Sequence, residues 1–182
     1  MVLSRLILTS NGLTSAALQQ QFRSWLPADP KDATVWYIPT APLRDGWSKG
    51  QVQSQMASLQ RTFGLGRVEW IDVEYVKGDA LREAVGKLGK VDVVYAEMGN
   101  TYNLAHHLGN SGGAELIKEL VQHDAVYVGA SAGAIMAGRT VQMAVSRPGA
   151  RPQISRDFRN LATHAFGPLA GTALEELGRP DV

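Results

Sequence analysis

Short apolar runs alternate with longer amphipathic segments along most of this chain. The apolar runs are rich in Val, Ile and Tyr and almost unbroken, which is typical of parallel strands buried on both faces. They predict five strands, at residues 6–9, 34–38, 68–73, 91–96 and 125–128. The chain therefore begins as a succession of strands separated by segments long enough to hold helices.

The segments between these strands have the periodicity of helices, with apolar residues three and four positions apart. The first helix has an apolar face formed by Leu18, Phe22, Trp25 and Leu26, and the second has one formed by Val52, Met56, Leu59 and Phe63. Two further helices are expected at 79–88 and across 102–123, and the one across 102–123 is interrupted by a Gly-rich stretch at 109–113. This alternation predicts an α/β fold, a doubly wound and mostly parallel sheet with helices on both faces.

The length of 182 residues and the hydrophobic content of 45% are typical of one globular domain. We therefore expect a single α/β domain over residues 1–182. The regular alternation stops after about residue 144, and the remaining tail, 145–182, is rich in Arg, Pro and Ser at its start and contains no convincing strand.

The charges are almost balanced, with 18 Lys and Arg against 17 Asp and Glu. A net charge of +1 without a basic cluster argues against a nucleic-acid partner or an anionic membrane surface. No apolar stretch approaches the length of about 20 residues that spans a bilayer, and the N-terminus resembles a first strand more than a signal peptide. We expect a cytoplasmic protein; the oligomeric state cannot be read from the sequence.

The chain contains no cysteine. Disulfides, thiolate zinc sites and a cysteine nucleophile are therefore excluded. We expect neither a metal ion nor a cofactor. Any nucleophilic catalysis would depend on another side chain.

A Gly-Ala-Ser-Ala-Gly sequence at 129–133 follows the fifth predicted strand directly and precedes a helix start rich in small residues. This G-x-S-x-G pattern is typical of a nucleophile elbow, in which a sharp turn exposes the serine hydroxyl. Ser131 is then the candidate nucleophile, and the backbone N–H of Ala132 is a candidate half of an oxyanion hole. The alternative is a Gly-rich turn that only binds phosphate at a helix N-terminus.

A second candidate segment, Gly99-Asn100-Thr101, follows the fourth predicted strand. Because Gly99 lacks a Cβ, its backbone N–H can approach a ligand. The alternative is a plain turn in which Asn100 or Thr101 caps the following helix. Glu97 lies at the same rim, either as a surface charge or as a carboxylate that faces a ligand.

A serine nucleophile needs a general base. His164 is the only histidine that follows Ser131 in the chain, as is common for nucleophile-elbow enzymes, and Asp157 is the acid nearest to it in sequence. Asp157 could equally be a solvated loop charge. Of the other histidines, His123 ends a predicted helix where it suits the helix dipole, and His106 and His107 are adjacent, so at most one of them faces the site.

Three segments together resemble the S51 peptidases, the group of peptidase E (aspartyl dipeptidase) and cyanophycinase. They are Ile-Pro-Thr-Ala at 38–41, Gly-Asn-Thr at 99–101 and Gly-Ala-Ser-Ala-Gly-Ala at 129–134, and the resemblance covers residues 5–144. It implies a flavodoxin-like, three-layer α/β/α fold similar to class I glutamine amidotransferases, with Ser in place of Cys. It also implies hydrolysis of small aspartyl peptides through an acyl-enzyme, without metal.

Carried over by position, the resemblance makes Ser131 the nucleophile and assigns the oxyanion N–H groups to Gly99 and Ala132. Asn100 and Thr101 would shape the pocket. The specificity residue is not identified, although Arg44 and Arg139 could each pair with a substrate carboxylate. Cleavage of β-aspartyl-arginine polymers is a variant of the same reaction.

The chain departs from the family pattern at two places. The family has a run of three glycines where this chain has Glu97-Met98-Gly99, and the Pro-His-aromatic motif of the catalytic histidine is missing. His164 lies near the expected distance in a different setting, and the position of the family's catalytic Asp is occupied by Ser146. The alternative function is therefore a catalytically impaired relative that acts as a binding or regulatory protein.

Overall fold

A computed structural model describes residues 5–138, and these form one parallel sheet flanked by helices. The five strands are β1 (Leu6–Thr9), β2 (Thr34–Ile38), β3 (Arg67–Trp70), β4 (Val93–Ala96) and β5 (Val126–Ala130). Their order across the sheet is β1-β5-β4-β2-β3, and every neighbouring pair is parallel. The predicted α/β fold with a parallel sheet is confirmed.

Seven helices lie between and after these strands in the described part of the chain. They are α1 (Ala16–Trp25), α2 (Thr40–Arg44), α3 (Lys49–Phe63), α4 (Gly78–Gly86), α5 (Thr101–Ser111), α6 (Gly113–Gln122) and α7 (Ala132–Met136). One 3₁₀ turn, Pro30–Asp32, leads into β2.

The sheet separates two apolar layers because side chains alternate along each strand. On one face Tyr37 packs with Phe22 of α1 and Phe63 of α3, whose rings meet edge to face at 4.8 Å. On the other face Trp36 packs in a layer with α4, α5, α6 and α7, and Leu104 of α5 is fully buried there. The three inner strands, β2, β4 and β5, are buried on both sides, which explains why they are apolar without alternation.

The sheet changes direction between β2 and β4. The chain leaves β2 toward β3 at one edge, whereas it leaves β4 toward β5 on the other side. In open α/β sheets such a switch point opens a crevice at the carboxyl ends of the strands, where ligands bind. The three motifs singled out in the sequence follow β2, β4 and β5, so they all lie at this edge.

The first two strands match their predicted bounds, whereas the predicted bounds of the other three were wrong by a few residues. The strand expected at 68–73 ends at Trp70, because β3 is an edge strand and the side chain of Asp72 accepts a bond from the Glu74 amide, which turns the chain. Ile71 and Val73 are buried although they lie outside the strand, which is why their hydrophobicity was misleading.

The fourth strand begins at Val93, two residues later than expected. The fifth was expected to end at residue 128 but continues to Ala130, because Gly129 and Ala130 pair with Leu8 and Thr9 of β1. The turn therefore begins at Ser131 itself.

The interruption expected at 109–113 within the helix predicted across 102–123 is confirmed, because α5 and α6 separate at Gly112, which has a left-handed φ of 74°. The predicted helix at 79–88 runs from Gly78 to Gly86. The short helix α2 was not anticipated.

Within residues 5–138, no helix is both long enough and apolar enough to cross a membrane. The same residues contain no group of three His, Cys, Asp or Glu side chains suited to a metal ion. The tail predicted at 145–182 lies outside the described residues.

Candidate active site

Ser131 lies at the junction of β5 and α7 in a backbone conformation that is unusual for a residue with a side chain. Its φ is 45° and its ψ is −99°. Such strained positions are held in place by the surrounding structure and occur preferentially at functional sites. Here the Ser131 amide donates a hydrogen bond of 2.7 Å to the carbonyl of Thr9 at the end of β1. The next residue, Ala132, is the first of α7, so its N–H has no acceptor within the helix.

The two glycines of the elbow are required by close backbone contacts. A Cβ on Gly133 would lie 2.1 Å from the carbonyl oxygen of Ala96 in β4. A Cβ on Gly129 would lie 2.6 Å from backbone atoms of Gly133 and Ala134. The first contact packs α7 directly onto the end of β4, and the second lets the chain reverse tightly around Ser131.

The turn after β4 makes a similar close approach. Gly99 has a φ of +133°, and a Cβ there would lie 2.5 Å from the backbone of Ala41. The amide of Asn100 donates a 3.0 Å hydrogen bond to the carbonyl of Ala41. The structure thus brings the 38–41 and 99–101 segments together, while the contact of Gly133 with Ala96 brings the elbow to the same edge.

Asn100 and Thr101 have structural partners at the start of α5. The side-chain oxygen of Asn100 accepts a 3.0 Å hydrogen bond from the Asn103 amide, so Asn100 is the N-cap of α5. Thr101 is buried. The alternative in which Asn100 caps the following helix is therefore the role that the Asn100 side chain has in the structure.

Glu97 is a buried carboxylate, so the surface-charge interpretation was wrong. Its side chain is 4% exposed. One carboxylate oxygen accepts a hydrogen bond from the Tyr37 hydroxyl, and the other accepts one of 2.9 Å from the Met98 amide. Burial and the nearby Glu97 charge raise the pKa of Tyr37 well above its ordinary value, so Tyr37 is a permanent donor to Glu97.

A second polar cluster, centred on Asp72, lies at the ends of β2 and β3 and was not recognised in the sequence. The Thr40 hydroxyl donates a 2.6 Å hydrogen bond to Asp72, which is 6% exposed and has one oxygen without a partner. Burial raises the pKa of Asp72, opposed by Thr40, His107 and Arg44. Thr40 and Asp72 come shortly after β2 and β3, which are neighbours in the sheet. The sequence places each residue near the end of a strand, but only the order of the strands brings the two together.

The histidines in the described part of the chain lie in three different settings. His107 is half-buried near Asp72, and burial lowers its pKa, helped by His106, Lys77 and Arg44. His106 is exposed and contacts Asn110. His123 ends α6 with its ring 2.7 Å from the carbonyl of Glu119, as expected for a residue at a helix C-terminus.

The predicted catalytic base and its acid are not among the described residues. His164 and Asp157 lie outside residues 5–138, as does the specificity candidate Arg139. The other specificity candidate, Arg44, forms a salt bridge with Glu74. Within residues 5–138, no side chain is hydrogen-bonded to the Ser131 hydroxyl.

Comparison with known proteins identifies the relatives of this chain. The model of peptidase family S51 matches residues 6–170. An uncharacterized peptidase of Listeria monocytogenes is 32% identical over 134 residues, which are 74% of this chain and 60% of that protein. Peptidase E of Pasteurella multocida is 29% identical over 146 residues, 78% of this chain and 56% of that protein.

A solved structure agrees with these sequence matches. The crystal structure of a candidate peptidase E from Listeria monocytogenes EGD-e has a TM-score of 0.61 and 28% sequence identity, and covers 77% of this chain and 64% of its own. An uncharacterized peptidase of Pasteurella multocida is 29% identical over 61% of this chain and 51% of its own length. The chain thus spans between 51% and 60% of the length of the curated relatives it matches.

Proposed function

Because the chain belongs to peptidase family S51, we propose that it is a serine-type peptidase that hydrolyses small aspartyl peptides. The observation that carries this proposal is the strained backbone of Ser131 between β5 and α7. A serine in an ordinary loop would not need a positive φ or two glycines in close backbone contact. The family match supplies the class of reaction, and the substrate follows from the resemblance to peptidase E. We propose that it acts in the cytoplasm.

The proposed reaction proceeds through an acyl-enzyme. The Ser131 hydroxyl attacks the scissile carbonyl, and the N–H groups of Gly99 and Ala132 stabilise the negative charge that develops on the carbonyl oxygen. The amine product leaves with a proton from the general acid, and water then releases the acyl group. His164, oriented by Asp157, remains the proposed base, which takes the serine proton and returns it to the leaving amine.

The nucleophile can be tested by active-site labelling of the full chain. A fluorophosphonate probe should form a covalent adduct on Ser131 that mass spectrometry locates in the peptide containing residue 131. Ser131→Ala should abolish this adduct and lower kcat for aspartyl-leucine by about 10⁴-fold or more. Ser54→Ala, which removes an exposed hydroxyl from the middle of α3, is the matched control and should label normally.

The base is tested separately by His164→Ala and Asp157→Ala. Each should lower kcat for the same dipeptide, since Ser131 is a weak nucleophile without a base. If the probe does not label the wild-type chain at high concentration, the peptidase proposal is wrong, and a binding or regulatory relative is the better description.

A further inference from the structure

A cavity of about 400 Å³ lies beside the candidate active site, where β1 and β4 end and α3 covers the sheet. Asn11 and Gly12 follow β1 in its wall, and Met98 follows β4. Ser131 follows β5, which lies between β1 and β4 in the sheet. Met98 in the cavity wall directly precedes Gly99, the proposed oxyanion donor, so the cavity lies next to the proposed active site.

The described residues that line this cavity include no Lys, Arg or His. Their polar groups are amides, such as those of Gln19 and Gln55, and hydroxyls, such as those of Ser58 and Thr62. Glu97 is the single charged residue of the lining. A ligand group in this cavity therefore meets one negative charge surrounded by neutral acceptors and donors.

The carboxylate of Glu97 has unused capacity for hydrogen bonds. A carboxylate accepts about four hydrogen bonds. The structure gives Glu97 two, from the Tyr37 hydroxyl and the Met98 amide. Neither donor carries a positive charge, so a buried negative charge is solvated by neutral groups alone, which is costly unless a cation also binds.

We propose that this cavity is a substrate subsite that binds a cationic group of the peptide, an ammonium or a guanidinium, against the carboxylate of Glu97. The proposal rests on the proposed peptidase function and specifies its substrate further. A peptide cation satisfies the free lone pairs of Glu97 by charge-assisted hydrogen bonds. An acidic side chain is repelled from the same position, so the aspartyl group of the substrate binds elsewhere. The cation is either the free N-terminus or a basic side chain of the peptide.

The test is a binding measurement on the full-length Ser131→Ala chain, in which no peptide is consumed. Isothermal titration calorimetry compares aspartyl-leucine, which has a free N-terminal ammonium, with N-acetylaspartyl-leucine, which has no cation. N-acetylaspartyl-arginine carries its cation on the side chain. The proposal expects at least one of the two cationic peptides to bind tenfold or more tightly than N-acetylaspartyl-leucine. Which of them does so identifies the source of the cation.

The added substitution Glu97→Gln keeps the size of the side chain and removes its charge, and it should abolish the preference for a cation. Glu83→Gln makes the same charge change at an exposed position of α4 and should preserve it. The preference is first measured without any change at position 97, so a Glu97→Gln chain that fails to fold does not remove the test. Equal binding of all three peptides, or binding of none of them, overturns the proposal.

These outcomes are distinct from failure of the proposed function. Labelling of Ser131 by the fluorophosphonate probe reports on activation of the serine, whereas binding to the Ser131→Ala chain does not depend on it. A chain that shows the cation preference but no labelling has the subsite without the peptidase activity. A chain that is labelled at Ser131 but shows no preference for cationic peptides is a peptidase with a different specificity.

Discussion

At the scale of single residues, the site depends on backbone atoms that approach each other where a side chain would not fit. Gly133 and Gly99 each lie against backbone of a neighbouring segment, Ala96 and Ala41 respectively. Backbone cannot move aside as a flexible side chain can, so these positions tolerate no Cβ without displacing the turn. The position of Ser131 is therefore determined by the glycine beyond it as much as by its own conformation.

Gly133→Ala should lower the free energy of unfolding by about 2–3 kcal/mol, because the new Cβ would lie 2.1 Å from the carbonyl oxygen of Ala96. Urea unfolding measures the loss. Gly86→Ala is the control, since no heavy atom lies within 4 Å of a Cβ there and the residue is helical. It should stabilise the chain by about 0.5–1 kcal/mol. Equal stability of Gly133→Ala and the wild type would contradict the close contact.

A second prediction at this scale concerns pH. Burial lowers the pKa of His107 below its ordinary value of 6.5, so the folded state favours the neutral imidazole. The folded chain then binds fewer protons than the unfolded chain between these two pKa values. The contribution of His107 to stability is complete above pH 6.5 and is lost as the pH falls from 6.5 through the lowered pKa.

Urea midpoints at pH 7.5 and pH 5 test this in wild type and His107→Gln. The wild-type midpoint should fall more between these pH values than that of the variant, because Gln does not titrate. An identical decline in His107→Gln and wild type would show that His107 does not contribute.

At the scale of elements, three helices, α1, α3 and α5, begin directly after a residue whose side chain caps the helix start. The clearest case is α3, which starts with a capping box: the Ser48 hydroxyl accepts a 3.2 Å bond from the Gln51 amide, and the Gln51 side chain accepts one of 2.8 Å from the Ser48 amide. It ends at Phe63 and is followed by the C-cap residue Gly64, which is left-handed with a φ of 70°. Since α3 covers the cavity beside Glu97, its start and its orientation matter for the proposed subsite.

Ser48→Ala should cost about 1 kcal/mol of stability, because the Gln51 amide loses its acceptor at the helix start. Ser54→Ala makes the same chemical change at an exposed position within α3 and should stay within about 0.5 kcal/mol of wild type. Thermal or urea unfolding measures both. A loss at Ser54 as large as that at Ser48 would mean that the cap is not the cause.

At the scale of the whole molecule, two apolar layers share one sheet. Ile7 belongs to the layer under α1 and α3, and Ile117 belongs to the layer under α4, α5, α6 and α7. Both side chains are almost completely buried. Because every strand has residues in contact with one layer or the other, we expect the described fold to unfold as one unit.

Ile7→Val and Ile117→Val should each cost about 0.5–1.5 kcal/mol, since each removes one buried methylene. The double variant should lose the sum to within about 0.5 kcal/mol, because the two sites belong to different apolar layers on opposite faces of the sheet. Urea unfolding followed by circular dichroism and by fluorescence should show one coincident transition. Two separate transitions, or strong coupling between the sites, would contradict a single folding unit.

The sequence by itself determined the fold class, the order of the elements and the position of the nucleophile candidate. Apolar runs such as 34–38, separated by segments of helical period, are typical of strands buried in a parallel sheet, and the carboxyl ends of such strands share one edge. The pattern around Ser131 could be recognised because the strand, the glycines and the serine are adjacent in the chain. The same is true of the turn at 99–101, where the glycine directly precedes the N-cap residue.

Only the tertiary structure decided which distant residues meet. Nothing in the local sequence around Glu97 shows that it is buried under Tyr37, 60 residues away, or that Thr40 binds Asp72. The ends of β3 and β5 also depended on how the strands pair. β3 is an edge strand and lacks a second neighbour, whereas β5 pairs with β1 as far as Ala130. Sequence periodicity reports whether a residue is buried, but its partner depends on how the strands are ordered, and that order is set by the packing of the whole sheet.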